Sequence, residues 1–415
     1  MAGIGNFAQK LRSRVHFDGH FLLISYPHGC FRRSSFAQIG SQAPGALRMS
    51  TPLASVKFGT PVRYGRPGHR VLGDTWSCAW SDDDQVYCVI DDTAGFDLVL
   101  RPSRDRNVAI GSFGNSRPPE LEGRIVNGLE ACGRSNQLGR DGACWKGNGL
   151  LSVDGVLYLS VSRHWYHVKE YDHRQYARDA SLLVSRDKGQ TWSPMPYLAE
   201  PLPQPLFPGQ RFATPFFLDV GRDSQAPSPA PHGTDTHIYA LSNDGYWNNG
   251  NAVHLARVRR ERLPQLELKD WEFFCGCRGE GAPPTWLSGK AGLECCYPIL
   301  SRPYGFGQTG MNWLPAQQRY LLIGWHYPKL SREVWQHQTS VWDFYEAPAP
   351  WGPWTRFATR MWETEGYYNP ALSSRFIDAD GRRLWLLACG DFNTHSKDIE
   401  ETLYTLFAIP VELGT

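Results

Sequence analysis

The alternation of apolar and polar residues predicts that most of this chain forms short β-strands. Val, Ile, Leu and aromatic residues alternate with polar residues over short stretches, and turns rich in Gly, Pro, Asn and Asp separate these stretches. Alternation with a period of two residues is typical of half-buried strands. Sustained 3.6-residue periodicity between helix caps is rare in the chain. The pattern therefore predicts an all-β fold.

Five segments repeat one hairpin pattern, in which a polar turn is followed by an aromatic residue, an alternating apolar strand and a polar end. They are DDDQVYCVIDD (82–92), VDGVLYLSVSRH (153–164), TDTHIYALSND (234–244), AQQRYLLIGWHY (316–327) and DGRRLWLLACGD (380–391). Roughly 65 to 80 residues separate successive copies, which is room for about four short strands and their loops, the content of a propeller blade. Another strand-like segment precedes each copy. The repeat predicts a five-bladed β-propeller.

A second motif agrees with this fold. The segment SRDKGQTW, residues 185 to 192, fits the Asp-box pattern S-x-D-x-G-x-T-W, a turn between outer strands of a blade. We expect Asp187 to cap backbone N–H groups, Gly189 to supply a permissive dihedral angle and Trp192 to pack between blades. The predicted role of this motif is structural.

The first 55 residues differ in composition from the rest. They are basic, with a single acid, Asp18, and only a short apolar patch. We interpret residues 1–55 as an extension outside the fold, either a transit peptide or the result of a start assigned upstream of Met49. No clear secretory signal is present, so the protein is expected in the cytoplasm as the sequence stands and outside the cell if the start differs. Residues 56–415 are predicted to form one propeller domain.

Composition excludes several functional classes. The formal net charge is only +2, which argues against binding to nucleic acid. No apolar run approaches the length of a membrane span, so a soluble protein is expected. The ten cysteines match neither a zinc ribbon nor a redox pair, and most are predicted to be buried thiols. GFGQTG (305–310) runs into a Trp-Leu-Pro segment instead of a helix, so no dinucleotide site is expected. No cofactor is predicted, although the channel could hold a structural ion.

Acidic residues in the first repeat are the main chemical signal. The first strand of a propeller blade lines the central channel, and Asp74 begins that strand in the first unit, while Asp91 and Asp92 end its hairpin partner. Asp82–Asp84 would form the solvated turn between them. We therefore expect Asp74 and Asp92 to share a pocket at the opposite end. Glycoside hydrolysis needs two such carboxyl groups, one protonated and one charged.

Asp74 is the predicted base or nucleophile and Asp92 its partner, with Asp244 or Glu365 as competing acids. Other channel positions carry polar or aromatic residues of the kind that bind sugars by hydrogen bonds and ring stacking. The predicted substrate-binding residues are Trp76, Lys146, Arg163, His164, Arg211, Asn243, Trp247, Gln308, Asn312, His326, Tyr368, Asn369 and Asp391. Turn capping, hydrogen-bonded inner histidines and packing of Trp between blades are the competing interpretations.

Several segments resemble a known family. The segments LGDTW, DDTAGF, SRDKGQTW, RFATPFF, ALSNDGYWNNG, PWGPW and GYYNPALSS are similar to the DUF4185 family, whose characterised members include endo-D-arabinanases, within the five-bladed and sialidase-like propellers. The resemblance implies that Asp74 and Asp92 are the catalytic pair. This chain has DDT where GDT is usual. It also lacks the arginine pattern of true sialidases, which disfavours a sialic acid substrate.

Three functions are consistent with the sequence. The first is a glycoside hydrolase acting on an oligo- or polysaccharide, including a furanoside such as arabinan. The second is a polysaccharide lyase, in which Tyr166, Tyr327 or His164 abstracts a proton and Lys146 or Arg211 neutralises a uronate. The third is a carbohydrate-binding propeller without catalysis.

Overall fold

The structure is a computed structural model of the 415-residue chain. The residues that it describes are 51–65, 69–99, 106–166, 174–279, 282–328, 339–390 and 404–415. The chain divides into two compact units, Met1–Arg48 and Met49–Thr415. Every described residue belongs to the second unit.

The prediction of an all-β fold is confirmed. The strands of the first half are β1 (Ser55–Phe58), β2 (Val62–Arg63), β3 (His69–Trp80), β4 (Val86–Val99), β5 (Arg106–Ser112), β6 (Arg124–Asn127), β7 (Cys144–Val153), β8 (Val156–Trp165), β9 (Tyr176–Ser185), β10 (Phe216–Asp219) and β11 (His237–Asn243). Those of the second half are β12 (Gly250–Arg259), β13 (Trp271–Cys277), β14 (Pro284–Ser288), β15 (Pro298–Phe306), β16 (Met311–Leu314), β17 (Arg319–His326), β18 (Ser340–Ala347), β19 (Thr355–Trp362), β20 (Tyr368–Ala371), β21 (Arg383–Cys389) and β22 (Leu406–Gly414).

Helices are few and short in the described part of the chain. The α-helix there is α1 (Gly289–Cys295). The 3-10 turns are Glu130–Cys132, Arg222–Ser224, Pro231–Gly233, Arg260–Gln265, Leu268–Asp270 and Ser374–Phe376. No helix among the described residues is long and apolar enough to span a membrane.

The strands form antiparallel meanders. The first sheet has the order β3-β4-β5-β6, and the second has the order β7-β8-β9. The last sheet runs β20-β21-β22-β1, with β2 also paired to β22. Its pairing of Ser55 with Gly414 joins the start of the described chain to its end.

The remaining ten strands form one larger sheet with two antiparallel halves. Strands β10 to β15 make one half and β16 to β19 the other. The two halves meet where β10 and β16 pair in parallel, at Leu218 with Met311 and Asp219 with Asn312. The first strands of the two halves, β10 and β16, are therefore paired with each other.

The first strands of these meanders surround a common cavity, which we call the axial cavity. Strand β3 contacts both β7 and β20, β7 contacts β10, and β10 pairs with β16. Each of these five strands contributes to the cavity wall, for example through Ala79 of β3, Leu151 of β7, Phe216 of β10, Met311 of β16 and Ala371 of β20. Meanders whose first strands enclose a central cavity define a β-propeller.

The turn from Ser185 to Trp192 follows the second sheet. Asp187 accepts hydrogen bonds from the Thr191 backbone N–H at 2.8 Å and from its hydroxyl at 2.6 Å. These bonds, above all the one from the hydroxyl, lower the pKa of Asp187. Gly189 has a φ of 89°, and Trp192 packs into an apolar cluster with Ile110 and Leu157. The turn thus fastens the second sheet to the first.

Candidate functional site

Irregular backbone geometry brings several acidic side chains together where β3 and β4 pair. Asp74 lies opposite Asp91, and the register shifts on both sides of Asp74. Thr75, Trp76 and Asp92 have positive φ angles of 74°, 32° and 43°. Bulges of this kind break the strict alternation of side chains between the two faces of a sheet. As a result Asp74, Asp91 and Asp92 are all buried.

Asp74 links the first sheet to the last. The Tyr368 hydroxyl, on β20, donates a hydrogen bond to Asp74 Oδ2 at 3.2 Å. Burial, and secondly the charge of Asp74, raise the pKa of Tyr368 and also that of Tyr327. Both phenols therefore stay protonated, and that of Tyr368 donates a hydrogen bond to the Asp74 carboxyl group.

Asp92 is held by a buried ion pair. Its Oδ2 lies 2.5 Å from Lys146 Nζ, and the two side chains are only 6% and 4% exposed. The Ser135 hydroxyl donates to Asp92 Oδ1 at 2.7 Å. Burial disfavours the charge of Lys146, but Asp92 and the neighbouring acids outweigh it and raise the pKa of this lysine. Lys146 is therefore charged across the neutral range.

Asp91 occupies a different environment from its two neighbours. Its Oδ1 accepts the Gly147 N–H at 2.8 Å, and its Oδ2 accepts the Thr75 hydroxyl at 3.3 Å. Burial is the main cause that raises the pKa of Asp91 well above its usual range, and the charges of Asp74 and Asp92 add to it. Lys146 and the Gly147 N–H act in the opposite direction. Asp91 thus holds its proton to higher pH than an ordinary aspartate.

We call Asp74, Asp91, Asp92 and Lys146 the acid cluster. Asp74 accepts from a phenol, Asp91 from a backbone N–H, and Asp92 pairs with an ammonium group, while the Thr75 hydroxyl contacts both Asp74 and Asp91. Burial raises the pKa of Asp91, and a carboxyl group that keeps its proton can give it up while a neighbouring carboxylate accepts one. The cluster has the composition that general acid–base chemistry requires.

A chain of neutral polar side chains lies next to the cluster. Gln308 Nε2 donates to Asn148 Oδ1 at 2.7 Å, and Asn148 Nδ2 donates to Ser162 Oγ at 3.1 Å. Ser162 in turn contacts His164 Nε2 at 3.1 Å. Burial, together with the charges of Lys146 and Arg163, lowers the pKa of His164 to about 3. His164 is therefore neutral at physiological pH.

Buried aromatic rings support this region. Trp247 packs edge-on against Trp325 at 5.1 Å and against Tyr368 at 5.6 Å between ring centroids. Trp325 Nε1 donates to the Gln308 carbonyl at 2.8 Å. Trp76 is fully buried, and its Nε1 donates to the Gly73 carbonyl at 2.8 Å. Trp76 and Trp325 thus position the backbone around the cluster.

Three basic residues predicted for substrate binding are engaged elsewhere. Arg163 lies on the opposite face of its strand from His164 and contacts both carboxylate oxygens of Asp141, at 3.0 and 2.6 Å. Arg211 is exposed, and its Nη1 donates to the Cys296 carbonyl at 3.3 Å. His326 lies 3.9 Å from Asp343, within a network that includes Arg302.

Other predicted residues stabilise turns or line the axial cavity. Asp244 accepts hydrogen bonds from Asn251, and Asn243 accepts the Thr214 hydroxyl at 2.7 Å. Asn312 lines the axial cavity and donates to the Leu372 carbonyl at 3.3 Å. The structure therefore does not bring Asp244 into the acid cluster.

Three further predicted positions lie elsewhere or are not described. Glu365 lines a surface cleft with Phe58 and Arg360, away from the acid cluster. Asn369 is buried next to Tyr368, and its Nδ2 has no hydrogen-bond partner. Asp391 lies outside the described residues.

Two residues at the cluster were not predicted. Asp91 lies next to the predicted Asp92, but simple alternation assigns only one of two adjacent residues to a given face. Ser135 comes from the segment between β6 and β7, and no sequence pattern marks it. Among the described residues no group of three or more His, Cys, Asp or Glu side chains has the geometry to hold a metal ion.

Comparisons with known proteins give structural matches only. No protein-family model matches the sequence, and no curated protein matches it. A candidate hydrolase from Bacteroides ovatus matches with a TM-score of 0.52 at 10% identity, over 83% of this chain and 87% of that one. An α-L-arabinofuranosidase from Podospora anserina matches with a TM-score of 0.45 at 10% identity, over 87% and 97% of the two chains. At this identity the first match concerns the fold alone, and the resemblance to the DUF4185 family stays a prediction.

Buried histidines predict acid sensitivity of the fold. Burial lowers the pKa of His254 to about 4, as it lowers that of His164 and His326. An unfolded histidine titrates near pH 6.5, so stability is complete above that pH and is lost as the pH falls towards 4. We expect His254→Gln to reduce the slope of unfolding free energy against pH by about 1 kcal/mol per pH unit between pH 6 and 5.

Urea unfolding at several pH values measures this slope. The raised pKa of Asp91 changes the slope of stability against pH in the opposite direction. This contribution is the same in the wild type and in His254→Gln, so it cancels when the two slopes are compared. Between pH 7.5 and 8.5 the two slopes should agree, which serves as the internal control. Equal slopes between pH 6 and 5 would show that His254 accepts a proton in the folded protein.

Proposed function

We propose that this protein is a glycoside hydrolase that acts on a neutral oligo- or polysaccharide. The observation that carries the proposal is the acid cluster, in which three buried carboxyl groups from β3 and β4 lie in the electrostatic range of one ammonium group from β7, and one of them pairs with it. Paired carboxyl groups with separated pKa values are what glycosidic cleavage requires. A furanoside such as arabinan belongs to this substrate class.

The hydrogen bonds suggest a role for each acid. Asp74 receives the phenol of Tyr368 and is the base or nucleophile. Asp92, fixed by Lys146 and Ser135, is its charged partner and stabilises positive charge that develops on the sugar. Asp91 is the carboxyl group in the cluster that retains a proton, and its contact with Thr75 connects it to Asp74.

The charge balance favours a neutral sugar over a uronate. Lys146 is compensated by Asp92, and Arg163 by Asp141. Arg211 points to the Cys296 carbonyl, and His164 is uncharged. A lyase would need one of these groups beside the acid cluster to neutralise a uronate carboxylate. Lys146 and Arg163 are paired with acids, and the hydrogen bond of Arg211 goes to Cys296, so the hydrolase is the function that we propose.

We also infer that the propeller has five blades. Each of the strands β3, β7, β10, β16 and β20 begins an antiparallel meander and lines the axial cavity. The parallel pair between β10 and β16 then joins two neighbouring blades at the axis. Strand β1, from the start of the described chain, pairs with β22 from its end. It would thus be the outermost strand of the fifth blade and would close the ring.

A substrate screen tests the function. Purified protein is incubated with arabinans, galactans, xylans and uronate polymers, and the reaction is followed by reducing ends and by ultraviolet absorbance. We expect reducing ends from at least one neutral polymer and no new absorbance. New absorbance with a uronate polymer would indicate the lyase, and binding without either signal would indicate a carbohydrate-binding propeller.

A further inference from the structure

A row of aromatic side chains lies beside the acid cluster and takes no part in it. The rings of Trp165 and Tyr176 are 5.7 Å apart, and those of Tyr176 and Tyr246 are 6.3 Å apart. The Arg174 guanidinium stacks on Tyr246 at 3.7 Å and on Tyr304 at 4.8 Å. We call Trp165, Tyr176, Tyr246 and Tyr304, with Arg174 between the last two, the aromatic row.

The row lies at the same end of the sheets as the acid cluster. Trp165 and Tyr176 are register partners at the ends of β8 and β9, one position beyond the pair of Cys144 with His164. Tyr166 follows Trp165 in the chain, and its ring lies 5.9 Å from Lys146 Nζ. The row therefore begins next to the cluster and leads away from it towards β15.

Three of the four rings are accessible, and the buried Tyr246 and Arg174 support them. Trp165 and Tyr176 are half-buried, and Tyr304 is 38% exposed. Trp165 Nε1 donates to the Asp141 carbonyl at 3.1 Å. Tyr176 and Tyr246 form a β-bridge between their backbones, and Tyr246 is buried beneath Arg174. Rings held in this way lose little entropy when a ligand stacks on them.

We propose that the accessible rings of the aromatic row, those of Trp165, Tyr176 and Tyr304, bind sugar rings of a neutral polysaccharide outside the position of cleavage. The inference rests on the proposed function, because it extends the substrate beyond the acid cluster. Aromatic faces fixed at intervals beside a catalytic centre suit a chain of apolar sugar faces. The enzyme is then selective for long substrates, since only a polymer occupies both the cluster and the row.

Kinetic comparison of long and short substrates tests the row. We expect Trp165→Ala and Tyr304→Ala each to lower kcat/KM on the neutral polymer about 5- to 10-fold, through KM, since a stacked ring contributes about 1 kcal/mol. Activity on a short aryl glycoside of the same sugar should be unchanged. Tyr197→Ala is the matched control, because Tyr197 is 76% exposed outside the row. Equal losses on both substrates would contradict the proposal.

A binding measurement separates this proposal from the proposed function. Affinity gel electrophoresis with the same polymers is carried out on Asp74→Asn and on Asp74→Asn combined with Tyr304→Ala. Weaker retardation of the double variant supports the row even if the wild-type protein releases no reducing ends. Equal retardation of the two, or no retardation of the wild-type protein by any neutral polymer, would overturn it.

Discussion

Replacing Asp74 with asparagine should lower turnover of the neutral substrate by about 10³-fold or more, which is the scale of general acid–base catalysis. Asparagine keeps the shape of the side chain and still accepts a hydrogen bond from Tyr368, but it cannot take up a proton or attack carbon. Asp74 is buried between the first and last sheets, so no exposed side chain at that position takes over its role. Initial rates of reducing-end release measure the effect.

The control for this variant is Asp235→Asn. Asp235 is an exposed aspartate on a turn before β11, so its replacement should leave the rate unchanged. Circular dichroism and the unfolding midpoint establish that Asp74→Asn is folded. A folded Asp74→Asn protein with the rate of the wild type would remove Asp74 from the mechanism.

Replacing Lys146 with methionine should reduce the free energy of unfolding by about 3–5 kcal/mol, the usual cost when one partner of a buried ion pair is removed. The variant leaves Asp92 charged, almost fully buried and close to Asp74 and Asp91. Urea unfolding at pH 7.5 measures the loss. Activity should fall as well, because the charge on Asp92 is no longer held in position.

The double variant Lys146→Met with Asp92→Asn provides the matched comparison. It removes both charges, so it should recover most of the lost stability while remaining inactive. A single variant that loses less than about 1 kcal/mol would show that the pair is solvated and contributes as little as a surface ion pair.

Much of the fold follows from local sequence patterns. The five aromatic anchors of the predicted hairpins, Tyr87, Tyr158, Tyr239, Tyr320 and Trp385, lie in β4, β8, β11, β17 and β21. Each of these strands is the second of its meander. Alternation and turn residues are local properties, so they predict hairpins reliably. The parallel pair between β10 and β16 joins distant segments, and no local pattern marks it.

The candidate site was only partly predictable, because its geometry depends on bulges and long-range contacts. The prediction that Asp74 and Asp92 lie near each other rests on hairpin register, and both are found in the acid cluster. Alternation places only one of Asp91 and Asp92 on a given face, and the positive φ of Asp92 breaks this alternation. The prediction that both Arg163 and His164 face the channel conflicts with strand geometry, because adjacent strand residues point to opposite faces.

Basic residues were the hardest to place from sequence. Arg163 is bound by Asp141 and Arg211 by a backbone carbonyl, and neither contact leaves a local sequence signal. His326 belongs to a network around Asp343 that joins β15, β17 and β18. Ion pairs between distant strands form only when the sheets are assembled. Composition alone therefore predicts more charged side chains around the channel than the described residues place there.

A crystal structure of the Asp74→Asn protein with an oligosaccharide from the screen would show whether the acid cluster is the place of cleavage. We expect a glycosidic oxygen or anomeric carbon within about 3.5 Å of residue 74 or of an Asp91 or Asp92 carboxyl oxygen. We also expect sugar rings stacked on Trp165 or Tyr304. A sugar bound away from the acid cluster, with Asp91, Asp92 and Lys146 still paired only with one another, would contradict this assignment.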